Sequence, residues 1–361
     1  SSRGCPELHS PENKKKLPLH VSIPPHTPAN SVQPAFCHTP AAPCSLTPPE
    51  TLRRESLVVP PSGAMVHLAR GSGVSVYRMD RSPLGAMPRS PWVIKKSDIS
   101  PMLARERRRV ERALELESRM LSRIDHPHIV GFRAVQQCAD GRLGLVLEAC
   151  ECSLYGLIQE RQFELGCAPR PFFLAVEAMT VSRGIALALV HLHREMHLLH
   201  GDMKSANVLV SRDFSLVKVC DLGVAMPLCP SSGDEPRPLQ LPEQHTYQGT
   251  EAWRPPEACC AAPDGRRSPR STLDKEVPQA AASEQVMTIT DRSDVWALGL
   301  VVWEMLTGEV PHAHHLRGDE QGEAEFRAAL GTRPPLPADV NGAGEIYRLP
   351  LQLHLACTQH E

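Results

Sequence analysis

The stretch His200-Gly-Asp-Met-Lys-Ser-Ala-Asn207 constrains this chain more than any other, because of the segments directly behind it. Two short apolar runs, Val208-Leu-Val and Val217-Lys-Val, predict a tight hairpin, and immediately after it stands Asp221-Leu-Gly223. The hairpin brings Asn207 and Asp221 back towards each other, and an amide oxygen beside a carboxylate is a donor set for a hard cation such as magnesium. Asp202 can take or orient a proton, and Lys204 can neutralise a moving anion. Those residue types at that spacing suit phosphoryl transfer, which asks a protein mainly for positioning and charge stabilisation.

Further upstream, Trp92-Val-Ile-Lys95 reads as a strand, and Lys95 at its end is placed to reach the α- and β-phosphates of a nucleotide. Such a lysine needs an acidic partner. The charged helix expected from Leu103 to Ile124, with Leu114, Leu121 and Ile124 on one face, offers Glu117 first and Glu115 second. Lys96 should point to the other side of its strand. In Ala69-Arg-Gly-Ser-Gly-Val-Ser-Val76, residues Gly71, Ser72 and Gly73 can form a phosphate-covering turn, since glycine allows close backbone approach. Alanine and valine stand where a fuller glycine repeat would have glycines.

The rest of the chain organises around these pieces. Residues 1–61 are a Pro-rich tail without helical or strand period, expected to be disordered, with Thr-Pro steps at Thr27, Thr39 and Thr47. The folded part is expected over 62–361, strands dominating to 148 and helices from 149, an α+β architecture of two unlike lobes. Arg81 to Pro91 reads as a turn-rich excursion and Gly131 to Ala149 as a hairpin turned at Asp140-Gly141. Val176 to His197 reads as a buried helix, Pro227 to Gln244 as a loop, and 260–285 as a low-complexity insertion before a helix holding Val295 to Leu306.

Composition excludes several classes. With 39 basic and 41 acidic residues and a net charge of −2, no global field draws the chain to nucleic acid or membrane. Twelve cysteines occur without a C-x-x-C pair, which favours reduced thiols over a zinc site. Lys14-Lys-Lys16 is not followed by an apolar run, and Val295 to Trp303 is too short to span a bilayer. A soluble protein of the cytoplasm, the nucleus or both is the expectation.

Taken in order, the glycine turn, V-I-K, a helical glutamate, H-x-D-x-K-x-x-N, D-x-G, Pro255-Pro-Glu257 and Asp294-Val-Trp-Ala-Leu-Gly299 resemble the eukaryotic protein kinase superfamily over about residues 65 to 357. The resemblance implies a bilobal fold with a small β-rich N-lobe and a larger helical C-lobe. It also implies ATP and Mg2+ as cofactors and transfer of the γ-phosphoryl group to Ser or Thr of protein substrates. By the same resemblance Val76 and Leu209 would sandwich the adenine and Leu147 would back it. The Glu148 carbonyl and Cys150 amide would bond its edge. Lys95, Glu117, Asp202 and Lys204 would be catalytic, with Asn207 and Asp221 holding metal.

Arg81-Ser-Pro-Leu-Gly, Ser90-Pro-Trp92, Gly249-Thr-Glu-Ala-Trp253 and Ala329-Leu-Gly-Thr-Arg-Pro-Pro335 look, more narrowly, like the PDZ-binding kinase family. That likeness implies a mitotic, MAP kinase kinase-like enzyme acting on stress-activated MAP kinases. The sequence departs from the pattern in four ways. Gly201 replaces the arginine before the catalytic aspartate, so a phosphate on Ser231, Ser232, Thr246 or Tyr247 would lack its usual reader unless Arg254 substitutes. Leu222 replaces phenylalanine. The C-terminus is expected to be truncated, leaving Glu257 buried without an arginine partner. Thr358-Gln-His-Glu361 lacks the apolar end of a PDZ ligand. The alternatives to an active kinase are a pseudokinase or scaffold, and, less favoured, a small-molecule kinase.

Overall fold

The structure is a computed structural model that describes residues 65–71, 73–84, 87–100, 103–138, 140–165, 171–230, 235–239, 247–260 and 288–359. The tail, Ser72, Ser231, Ser232, Thr246 and nearly all of the 260–285 insertion lie outside the described residues.

The N-terminal part is one antiparallel sheet. Its strands are β1 (Met65–Gly71), β2 (Val74–Leu84), β3 (Met87–Ser97), β4 (Phe132–Gln137) and β5 (Leu143–Glu148), in the order β1-β2-β3-β5-β4. Between β3 and β4 lies α1 (Ala104–Leu121), rich in the straight-chain residues that favour helix. Leu114, Glu117, Ser118 and Leu121 repeat at helical spacing and form its buried stripe. In place of a turn-rich excursion, β2 and β3 stay paired past Arg81, through Arg81 with Arg89 to Leu84 with Met87. The register slips there, and such irregular stretches are where a strand tolerates proline.

After β5 the chain turns helical. A strand β6 (Cys152–Ser153) leads into α2 (Leu154–Leu165) and α3 (Ala175–Val190). Glu177 accepts from the Leu174 amide at 2.8 Å and takes both terminal nitrogens of Arg161, which fixes the start of α3. Helix and adjoining turn, Ala175–Glu195, are long and apolar enough to cross a membrane, but Val181, Ile185, Ala188, Leu189 and Leu192 are buried in the main core.

Next come β7 (Leu198–Leu199), β8 (Val208–Val210), β9 (Val217–Val219) and β10 (Met226–Pro227), forming the small sheets β6-β8-β9 and β10-β7. The stretch expected to be loop from Pro227 is pinned at its described ends, by bridges Leu228–Leu239 and Pro238–Thr290. Then follow α4 (Pro256–Cys260), α5 (Arg292–Thr307), α6 (Glu320–Ala329), α7 (Ala338–Asn341) and α8 (Arg348–Cys357).

Helix α5 is apolar on every side and buried from Trp296 to Thr307. It is the central helix of the C-terminal part. Gly308 closes it at φ 72°, in the left-handed region that glycine adopts without strain. Where α8 crosses, Gly299 has no room for a side chain: a Cβ there would lie 2.7 Å from Thr358 Cγ2 and 2.8 Å from Cys357 Cβ. Gly299→Ala should therefore cost about 1–3 kcal/mol by overpacking. A urea midpoint equal to that of the parent would show that α8 does not pack there.

Candidate active site

Lys95 sits in β3 opposite Leu145 of β5 and Val76 of β2, so its register is set from both sides. Its ammonium donates to both oxygens of Glu117, at 3.1 and 2.8 Å, and to Asp221 Oδ1 at 2.7 Å. Burial opposes the charge on Lys95, but the two carboxylates together outweigh it and hold the ammonium above its ordinary pKa. Burial also raises Glu117, which is 1% exposed. Asp221 is held below the usual carboxylate range by Lys95, against burial. Glu115 is exposed, and Lys96 turns to the opposite face to meet Asp140 at 3.0 Å.

The second cluster is the loop after β7. Lys204 donates to Asp202 Oδ2 at 2.7 Å, and Asn207 Nδ2 donates to the Asp202 carbonyl at 2.7 Å and to Oδ2 at 3.1 Å. The other oxygen, Oδ1, is met by the Thr250 amide at 2.7 Å and hydroxyl at 2.6 Å, while Lys204 also donates to that hydroxyl at 2.6 Å. Thr250 thus closes a ring with Asp202 and Lys204. It was not among the expected site residues, although Gly249-Thr-Glu was visible as a motif.

Buried carboxylates of α5 hold this loop from below. Asp294 accepts from the His200 amide at 2.8 Å, the Gly201 amide at 2.9 Å and His193 Nε2 at 2.7 Å. Complete burial works against its ionisation, yet His193 and these donors keep it below the usual range. Glu304 accepts from Ser205 Oγ at 2.7 Å and Trp253 Nε1 at 2.9 Å. Burial still pushes its carboxyl up to about 8.

At the turn between β1 and β2, Gly71 ends β1 and has open space where a Cβ would be. Gly73 turns the hairpin at φ 77°, with Ile99 Cδ1 2.8 Å from a notional Cβ, so glycine is needed there for two reasons. Val76, Leu209 and Cys150 are half-buried and Leu147 is buried. Burial, then Glu148, raises the Cys150 thiol to about 11. The Glu148 side chain ties β4, β5 and β9 together, accepting from the Gly131 amide and from Lys218, each at 2.7 Å.

The residues present fit a divalent cation. Asn207 commits its amide nitrogen to Asp202, which leaves Oδ1 uncommitted, and Asp221 engages Lys95 and Gly223 through Oδ1, leaving Oδ2. Among the described residues no three His, Cys, Asp or Glu side chains converge on one point. Two protein oxygens completed by phosphate and water suit magnesium.

Two expectations need correction. Glu257 is half-buried rather than fully buried, and it accepts from Ser293 Oγ at 2.6 Å. Tyr247 is 6% exposed, so its hydroxyl is not offered for modification in this conformation. Arg254, the other basic residue near this segment, donates through Nε to the Gly249 carbonyl at 3.1 Å. Gly201 has φ 76°, and its carbonyl would lie 2.5 Å from a Cβ at Gly249, so the two glycines let the loop after β7 and the segment before Thr250 touch.

The Glu304 environment generates a pH signature. Its folded pKa of about 8 exceeds the unfolded 4.5, so its stabilising contribution is complete below the unfolded value and is lost as pH rises through 8. Glu304→Gln, which cannot ionise, should gain melting temperature relative to the parent between about pH 6 and about pH 9. A constant difference across that range would show that Glu304 stays ionised in the fold.

Comparison with known proteins agrees with this geometry. The protein kinase domain family matches residues 70–333. The chain is 36% identical over 315 residues to the human lymphokine-activated killer T-cell-originated protein kinase, covering 84% of this chain and 86% of that one. It is 32% identical over 247 residues to the mouse serine/threonine-protein kinase Nek4, covering 68% of this chain and 25% of that one. It is 26% identical over 265 residues to the human mitogen-activated protein kinase kinase kinase 7, covering 71% and 34%. It therefore spans most of the first relative and a quarter to a third of the other two. A β-rich N-terminal part carrying Lys95, a helical part carrying Asp202 and Asn207, and a family match across both lead to one conclusion: the chain belongs to the protein kinase family.

Proposed function

We propose that this chain is an active kinase that transfers the γ-phosphoryl group of ATP to serine or threonine of protein substrates. The observation that carries the reading is the simultaneous contact of Lys95 with Glu117 and Asp221, beside an Asp202 already oriented by Lys204, Asn207 and Thr250. A scaffold has no need of two such clusters at once.

In this reading Lys95 holds the α- and β-phosphates while Glu117 keeps it extended. Asn207 and Asp221 would hold magnesium, which would supply neutralisation of phosphate charge. Asp202 receives or aligns the proton of the substrate hydroxyl, whose oxygen bonds to the γ-phosphorus as the bond to the β-phosphate oxygen breaks and ADP leaves. Lys204, 2.7 Å from Asp202, stabilises the charge on the moving group. The names of the relatives support serine/threonine specificity. A MAP kinase kinase-like, mitotic role towards stress-activated MAP kinases comes from the sequence resemblance and extends this proposal.

Gly201 leaves no arginine to read an activation-segment phosphate, so phosphatase-treated protein should keep substantial basal turnover. Asp202→Ala should lower γ-phosphoryl transfer to a generic protein substrate by about 10²–10⁴-fold while leaving ATP affinity nearly intact. Near-normal turnover would overturn the assignment of Asp202. Asp221→Asn should shrink the magnesium-dependent part of the thermal shift given by ATP, because the cation loses a charged ligand. Equal shifts with and without magnesium in the parent protein would favour the scaffold.

A further inference from the structure

Helix α1 carries a second feature on the face beside Glu117. Arg105, Arg108, Arg109 and Arg112 are exposed and, with Leu116 and Gly223, line a cleft of about 440 Å³. At 100° per residue, Arg105, Arg109, Arg112 and Leu116 fall within an arc of about 60°, with Arg108 about 40° beyond. The acids of the helix lie elsewhere. Glu111 is taken by Arg107 and Glu117 by Lys95. Glu106 and Glu115 are each about 90° from the centre of the stripe.

No hydrogen bond or ion pair to the four arginines is present among the described residues, whereas Arg107 turns away to Glu111 and the Gly141 carbonyl. Four unpaired guanidinium groups on one face repel each other and create a local positive potential in a chain whose net charge is −2. Guanidinium groups in a row suit carboxylate and phosphate oxygens, which they bind in pairs of hydrogen bonds.

The location adds the functional link. Gly223 is two residues from Asp221, so the cleft begins within about 7 Å of the metal-holding position along the chain. A substrate segment extending at about 3.3 Å per residue from an acceptor hydroxyl near Asp202 spans that neighbourhood in a few residues.

We infer that the arginine face of α1 is a substrate-docking surface that selects protein substrates carrying a block of acidic residues near the acceptor serine or threonine. The inference rests on the kinase reading above. The exposed Leu116, 56% accessible, adds an apolar contact at the end of the stripe. Arg105, Arg109 and Arg112 are specificity-determining residues that act on substrate affinity and leave the transfer step alone.

The test compares two serine peptides, one with a glutamate block about three to six residues from the serine and one with glutamine in its place. Both are assayed with the phosphatase-treated full chain and with the Arg105→Gln/Arg109→Gln/Arg112→Gln variant, glutamine retaining helix propensity. The expected result is a roughly tenfold rise in KM for the acidic peptide in the variant, with kcat and the neutral peptide unchanged. Added salt should reproduce that rise in the parent. Equal losses on both peptides would place the arginines in support of α1 itself, and no loss on either would leave them without a docking role. A loss seen only before phosphatase treatment would make a phosphate of this chain the occupant. Each of these three overturns the inference. Fluorescence anisotropy of the labelled acidic peptide reads the surface without catalysis. Binding that the variant loses would support docking even if neither peptide is phosphorylated, whereas the absence of transfer would count against the kinase reading alone.

Discussion

The ammonium of Lys95, shared between Glu117 and Asp221, is the contact on which the rest of the site depends. The three groups come from β3, α1 and the stretch after β9, so the contact exists only when sheet register, helix position and the Asp221 turn are all correct. Lys95 and Glu117 are buried, whereas the Asp221 side chain keeps 41% of its surface exposed. Assembling a buried pair brings little net stability, but removing one of its members leaves a desolvated charge and is strongly destabilising. Asp221 also adopts φ 69°, a left-handed conformation that a non-glycine residue holds only when its surroundings over-determine it. Lys95 at 2.7 Å and the Gly223 amide at 3.2 Å supply that determination. The strain and the ion network are thus one feature.

A second constraint fixes the loop that carries Asp202 to α5. Asp294 has no exposed surface and accepts two successive backbone amides, which sets the path of the chain at His200 and Gly201 just before Asp202. Ten residues further along the same helix, Glu304 takes Ser205 and Trp253 and so ties the loop to the segment carrying Thr250. The apolar all-round burial of α5 supplies the rigidity, and its two acids convert that rigidity into placement of reacting groups. Functional sites gain precision when their supporting residues are locked by packing in this way.

Much of this was legible in the sequence because it is written locally. The spacing of Asp202, Lys204 and Asn207, the hairpin to Asp221, and the helical stripe through Leu114 and Leu121 each span a few turns or a single hairpin. The parts that were not legible depend on contacts between distant segments. Thr250 meets Asp202 across 48 positions, and the Gly249-Thr-Glu motif does not by itself say which residue it pairs with. The continuation of β2 and β3 beyond Arg81 runs against the prolines there and is decided by cross-strand pairing. The half-buried position of Glu257 is likewise hidden from the sequence, since it depends on how α4 lies against Ser293. The arginines of α1 read as a merely charged helix until Gly223 is seen beside them.

If the Lys95 network assembles without help from a phosphorylated activation segment, the turnover of a Glu117→Gln variant is where that shows. Phosphatase-treated parent and variant would be compared in γ-phosphoryl transfer under saturating ATP, with circular dichroism confirming that both are folded. The expected result is at least a tenfold fall in kcat for the variant, since Lys95 loses the charge that positions it. Turnover equal to that of the parent would refute the central role of this contact, because Lys95 would then be held in place by something other than Glu117.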